Sequence, residues 1–402
     1  MQHTINTPDL IYLDNAASTP ILDEVIQEMI PYLKEQYGNP SSLHKLGFNA
    51  MRGIERARKS VSILIGAKPK EIIFTSGGTE ADNLAIKGAA LYMKEKNKEK
   101  NHIIVSSIEH DAVLEVCKDL EARDFKVTYL PVTKEALVEP VTLESAISER
   151  TGLISIMLSN NEVGTIQPIH DLAKIAHEKS KDIIFHTDAV QVIGKIPIDV
   201  RVLGVDLLSI SSHKINGPKG VGALYIRNGI TIGPLIHGGG QESFLRAGTE
   251  NTYGIVGFGK ACEIASRTLT KYCSEVLELR EYLIDRVLTE ISHSILNGTR
   301  DNRNPGNTHF SFLGVKGEDL IIKLNEQGIA ASTGSACSMH KHKRSHVLKQ
   351  MGLTYGQIEG SLRLTLGLQN TREEIDHVIS SLSHIVEELR SFSQFKLEGT
   401  PD

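Results

Sequence analysis

The sequence is poor in cysteine: four residues, Cys117, Cys262, Cys273 and Cys337, with no C-x-x-C spacing among them. That excludes a disulfide framework and a cysteine-rich zinc site. No apolar run approaches the roughly 18 uninterrupted residues that a membrane-spanning helix needs. The first 20 residues hold no basic stretch followed by an apolar one, so the expectation is a cytoplasmic chain without membrane association. Charge of one sign is not in excess. Lys+Arg 44 against Asp+Glu 49 gives a net charge of −5 and a pI near 6.4, which removes the whole-chain electrostatic case for direct nucleic-acid binding. Tryptophan is absent and no repeat of fixed period occurs, against solenoids and propellers. With Pro 13, Gly 34 and 40% hydrophobic residues, disordered and collagen-like classes are excluded as well.

What remains is an ordinary globular composition in 402 residues, enough for two domains. From about residue 70, short apolar runs at 72–74, 102–105, 126–130, 153–158, 183–186 and 206–210 alternate with segments of helical spacing at 80–94, 112–122 and 169–179. Most of the runs do not alternate apolar with polar, so they read as strands buried on both faces. The pattern predicts a mainly parallel, doubly wound α/β domain over 21–255. A helical connector over 256–292 leads into a smaller α+β C-terminal domain, 256–402 in all, with strands near 307–313, 329–331 and 362–366 and helices over 318–327 and 372–390. Residues 1–20 are expected to pack with that smaller domain. The mixed-sign run 94–100 reads as a solvated helix end.

Ligands in open α/β sheets bind at the carboxyl ends of strands, and unusual residues stand at those ends. Ser76-Gly77-Gly78-Thr79-Glu80 follows a strand and opens a helix. Its glycines and the helix N-terminus can cradle one phosphate; a plain capping turn is the alternative. Asp188, three residues before Gln191, ends another strand, where a buried carboxylate needs a cation unless it is a satisfied structural aspartate. Lys214, in Ser211-Ser212-His213-Lys214, ends a third. A desolvated lysine there can form a Schiff base with an aldehyde cofactor, although a surface lysine is the ordinary alternative. Phosphate cradle, aspartate and lysine in that order are how one sheet assembles a pyridoxal phosphate site.

Several motifs then share one resemblance: Tyr12-Leu13-Asp14-Asn15-Ala16, Gly38-Asn39-Pro40-Ser41-Ser42, Ser107-Ile108-Glu109-His110, Asn160-Asn161-Glu162-Val163-Gly164, Ser212-His213-Lys214, Arg246-Ala247-Gly248-Thr249-Glu250 and Gly334-Ser335-Ala336-Cys337. Together, over about residues 11–390, the chain resembles cysteine desulfurases of the NifS/IscS type, in the class V branch of fold type I pyridoxal phosphate enzymes. The resemblance implies a homodimer that takes sulfur from L-cysteine as an enzyme persulfide, leaves alanine, and passes the sulfur to an acceptor such as an iron–sulfur scaffold or a tRNA-thiolation protein. It implies that Lys214 is the Schiff-base lysine, His110 the imidazole on the cofactor ring, Asp188 the partner of the ring nitrogen and Gln191 the donor to the ring oxygen. Gly78, Thr79, Ser211 and His213 match phosphate contacts, and Thr249 matches one that reaches across from the neighbouring subunit. Asn161 and Arg363 match groups that position the ring and hold the substrate carboxylate, which a guanidinium fork suits.

Cys337 matches the sulfur-accepting thiol. It stands in a polar stretch without periodicity, read as an exposed loop, and five basic residues among 339–344 favour its thiolate. That basic segment departs from the family's usual pattern there, which includes a proline before the position of Ser345. An adventitious metal site is the alternative reading of its histidines; no metal is expected. The other three cysteines fall in helical patterns and read as structural. A selenocysteine lyase, an aminotransferase on the same fold, and a non-catalytic sulfur-relay protein are the alternative functions.

Overall fold

The computed structural model describes residues 10–334 and 344–392. Within these residues twelve strands follow in chain order: β1 (Ile11–Tyr12), β2 (Ile72–Thr75), β3 (His102–Ser106), β4 (Lys126–Leu130), β5 (Thr151–Ser155), β6 (Ile184–Asp188), β7 (Leu207–Ser211), β8 (Gly222–Ile226), β9 (Ser294–Leu296), β10 (Asn307–Phe312), β11 (Ile329–Ala330) and β12 (Ser361–Thr365). Seven of them form one sheet in the order β2-β8-β7-β6-β5-β3-β4. Only β8 runs against the others. The mainly parallel, doubly wound α/β architecture expected from the apolar runs is what the chain adopts.

The lack of alternation has a direct cause. Phe74, Ile104, Ile154, Phe185 and Leu208 enter one apolar layer, while their sequence neighbours Ile73, Ile103, Leu153, Ile184 and Leu207 enter the layer on the opposite face. Successive side chains of a strand point to opposite faces, so a sheet covered on both sides needs apolar residues at every position. Each such side chain contributes about 1.5–3 kcal/mol on burial. The exception is β4, an edge strand that is partly exposed along most of its length.

The order also locates a switch point. From β3 the chain steps to β4 on one side, then to β5 on the other, and onward through β6 and β7. The loops after β3 and β5 therefore diverge at their carboxyl ends and leave a crevice between them.

A second, antiparallel sheet, β12-β10-β9, is covered by the helices Leu277–Glu290, Gly317–Glu326 and Arg372–Phe392, with Phe310, Phe312, Leu362, Leu364, Ile375 and Ile379 in its core. The connector is a continuous run: helix Thr252–Lys271, a π turn at Tyr272–Val276, then helix Leu277–Glu290. Before it joins the large sheet, the N-terminal segment pairs β1 with β11, sets Asp14 against Thr365, and buries Leu13 in the smaller core. It then crosses over, and both the amide and the hydroxyl of Thr19 donate to the His213 carbonyl at 2.9 Å. Across the described residues no helix is long and apolar enough to cross a membrane.

Candidate active site

The crevice is furnished by the strand ends. His110 caps the helix Asp111–Glu121 after β3, Asn161 lies in the loop after β5, Asp188 ends β6, and Lys214 sits in the single turn Ser212–Lys214 after β7. A cavity of about 120 Å³ brings His110, Asn161, Gln191, Lys214 and Arg363 together under Ala16 and Ala17 of the crossing segment. Lys214 Nζ donates to the Ala16 carbonyl at 2.5 Å and to that of Ala17 at 2.9 Å, and Gln191 Nε2 donates to the same Ala16 oxygen at 3.2 Å.

Asp188 is buried and accepts from the Val190 amide at 2.8 Å. Burial raises its carboxyl above the ordinary range, against the pull of that amide, His110 and Lys214. It forms no ion pair among the described residues. His110 Nδ1 accepts from the Ala112 amide at 3.1 Å. Burial lowers the affinity of its ring for a proton more than Asp188 and Asp111 raise it, so the neutral ring carries its hydrogen on Nε2. Arg363 is almost wholly buried. One terminal nitrogen donates to the main-chain oxygens of Asn161 at 2.8 Å and Gly334 at 2.7 Å, the other reaches Asp14 Oδ1 at 2.9 Å, and Nε has no partner among the described residues.

The glycine loop closes one end of the site. Gly77 has φ +155° and opens the helix Gly78–Lys96; a Cβ on Gly78 would come within 2.8 Å of Val190 Cγ2 and face Ser211 Cβ at 3.7 Å. The missing side chain is what lets this loop approach the Asp188–Gln191 turn and the end of β7. Glu80 fixes the loop: it accepts from the Ser76 amide at 2.8 Å and from Arg246 Nε at 2.9 Å, and so ties down the segment that carries Thr249. Thr79 and Thr249 are exposed, and within one chain Thr249 does not line the cavity. His213 Nδ1 lies 3.2 Å from Ser18 Oγ, and burial together with Lys214, Lys219 and Lys195 pushes its ring down to about 4. Cys337 lies outside the described residues. Cys117 and Cys262 are fully buried, and burial pushes the Cys117 thiol up to about 12. Cys273 donates to the Lys195 carbonyl at 3.3 Å.

Sequence reading missed Asp14, the partner of Arg363 from 349 positions away. It also missed His346, which lines the cavity and bonds the Glu109 carbonyl at 3.0 Å. Both stood in segments noted for other reasons, but their pairing is visible only in three dimensions.

The donor set fits a phosphorylated aldehyde with a basic ring nitrogen. It offers a buried carboxylate within electrostatic reach of His110 and Lys214, the Lys214 amine at the cavity, and a glycine cradle at a helix N-terminus. That combination defines a class of protein. The sequence profile of the aminotransferase class-V family matches residues 11–378, and the chain belongs to that family, among its cysteine desulfurases of the IscS type. Cysteine desulfurase IscS of Dictyoglomus turgidum is 52% identical over 388 residues, 96% of this chain and 97% of that one. A solved structure described as a NifS-like protein superposes with a TM-score of 0.88 at 41% identity, over 94% of this chain and 100% of the other. Another, SspA in complex with cysteine, gives 0.78 at 39% identity, over 89% and 98%.

Proposed function

We propose that this chain is a pyridoxal phosphate-dependent cysteine desulfurase. It takes sulfur from L-cysteine, leaves L-alanine, and carries the sulfur as a persulfide on Cys337 for transfer to an acceptor protein of iron–sulfur assembly or tRNA thiolation. The observation that carries the reading is the convergence of Lys214, Asp188, His110 and Arg363 on one crevice at the switch point of the sheet, in a chain about half identical to an enzyme of that name.

When bound, the cofactor supplies an electron sink at the substrate α-carbon. Lys214 would hold its aldehyde, and the same amine would move the α-proton. Asp188 would keep the ring nitrogen protonated, Gln191 would donate to the ring oxygen, and His110, which lines the cavity with Lys214, would stand over the ring and donate a proton from Nε2. Gly78, Thr79, Ser211 and His213 would hold the phosphate, with Thr249 from the second subunit of a homodimer completing the set. Arg363, with Asn161 beside it, receives the substrate carboxylate, which competes with Asp14 for the guanidinium. The cytoplasmic location, and the division into 21–255 and 256–402 with residues 1–20 crossing between them, belong to the same proposal.

The test is a single turnover of the purified protein with L-cysteine. One alanine should form per site, with one sulfur added to the peptide that contains Cys337, and Cys337→Ala should abolish that adduct. Full sulfide release by Cys337→Ala in the same experiment would refute the assignment.

A further inference from the structure

A second cavity, of about 360 Å³, shares Lys214 with the first. Three parts of the chain wall it: the crossing segment at Asn15 and Leu22, the connector at Ile264 and Tyr272, and the turn after β12 at Leu368. Lys195 lines it too, although only 6% of that residue is exposed. Among the described residues its amine makes no hydrogen bond and no ion pair. The charged groups acting on it are Lys214 and Arg363, both cationic, and with burial as the larger cause they push its amine down to about 7. Among the described residues no aspartate or glutamate lines the cavity.

A buried amine without a counter-charge gives up its proton readily, and an anion brought to it restores the charged form. We propose that this cavity binds a small carboxylate with a short apolar chain, and that Lys195 is its counter-charge. The walls narrow the class. An amino acid would bring an ammonium group to a cavity that holds two lysines and no carboxylate. Inorganic phosphate would leave Leu22, Ile264, Leu366 and Leu368 uncovered. An occupant paired with Lys195 also neutralises one positive neighbour of Lys214, which couples this cavity to the other. The proposal does not rest on the desulfurase reading, because its test measures binding alone.

The test is calorimetric titration of butyrate into the protein as purified, cofactor included, at pH 8 in two buffers of different ionisation enthalpy. Binding should be saturable, and it should take up close to one proton per site as the mostly neutral amine recharges. Phosphate, and butyramide, which has the apolar chain without the charge, should bind at least tenfold more weakly. Lys195→Met should lose at least tenfold in butyrate affinity, whereas Lys195→Arg, charged throughout, should bind butyrate without proton uptake. The proposal is overturned by absence of saturable butyrate binding, by equal affinity in Lys195→Met, or by phosphate or butyramide binding as tightly as butyrate.

Discussion

Glu109 adjoins His110 and is fully buried. Its Oε1 accepts from Ser106 Oγ and from the Met157 amide at 2.8 Å, while Oε2 has no partner. Burial, with a smaller contribution from Asp188, pushes the carboxyl from 4.5 up to about 8 against those two donors. The folded chain therefore holds a proton that the unfolded chain has released. A raised acid stabilises the fold fully below pH 4.5 and loses that stabilisation as pH rises through 8. At about 1.4 kcal/mol per pH unit the full loss is about 5 kcal/mol, and about 3 kcal/mol of it falls between pH 5 and pH 8. Glu109→Gln keeps an oxygen for both donors and cannot ionise. Urea unfolding of both proteins at pH 5, 6, 7 and 8 measures the effect. The variant should gain about 3 kcal/mol relative to the unaltered chain across that range. Parallel curves would show that Glu109 is ionised in the fold and would refute the reasoning.

Arg58→Ala strands Glu242, which accepts from Arg58 at 2.7 and 2.9 Å and from the Phe74 amide at 2.7 Å; a loss of about 3–5 kcal/mol in chemical unfolding is expected, and a loss below 1 kcal/mol would contradict it. Arg363→Lys keeps the charge but not the fork, so KM for L-cysteine should rise about tenfold or more with the cofactor spectrum unchanged; an unchanged KM would remove Arg363 from the carboxylate role. Asp14→Asn frees the guanidinium from its ion pair and should lower KM; a raised KM would mean that Asp14 orients Arg363 rather than competing for it.

The large sheet was legible because a layer covered on both faces writes unbroken apolar runs into the sequence, as at 102–105 and 206–210. β8 was not legible: Gly222 and its neighbours follow a turn rich in Gly and Pro and were not among the apolar runs, yet the strand lies between β2 and β7. The run at 153–158 was placed a little late, because Ile156, Met157 and Leu158 continue buried beyond the ladder of β5. In the site, the residues at strand ends announced themselves by chemistry that a strand end does not need. Lys195 and Glu109 gave no such signal, since only burial makes them unusual, and burial is set by distant parts of the chain. Arg363 came from the family resemblance rather than from spacing, for its partners Asp14 and Asn161 are remote in sequence.

Borohydride treatment of the purified protein, followed by peptide mapping, addresses the role of Lys214 most directly. A single reduced pyridoxal adduct on the peptide containing Lys214, absent from Lys214→Ala, is the predicted result. An adduct on any other lysine, or none at all, would contradict it.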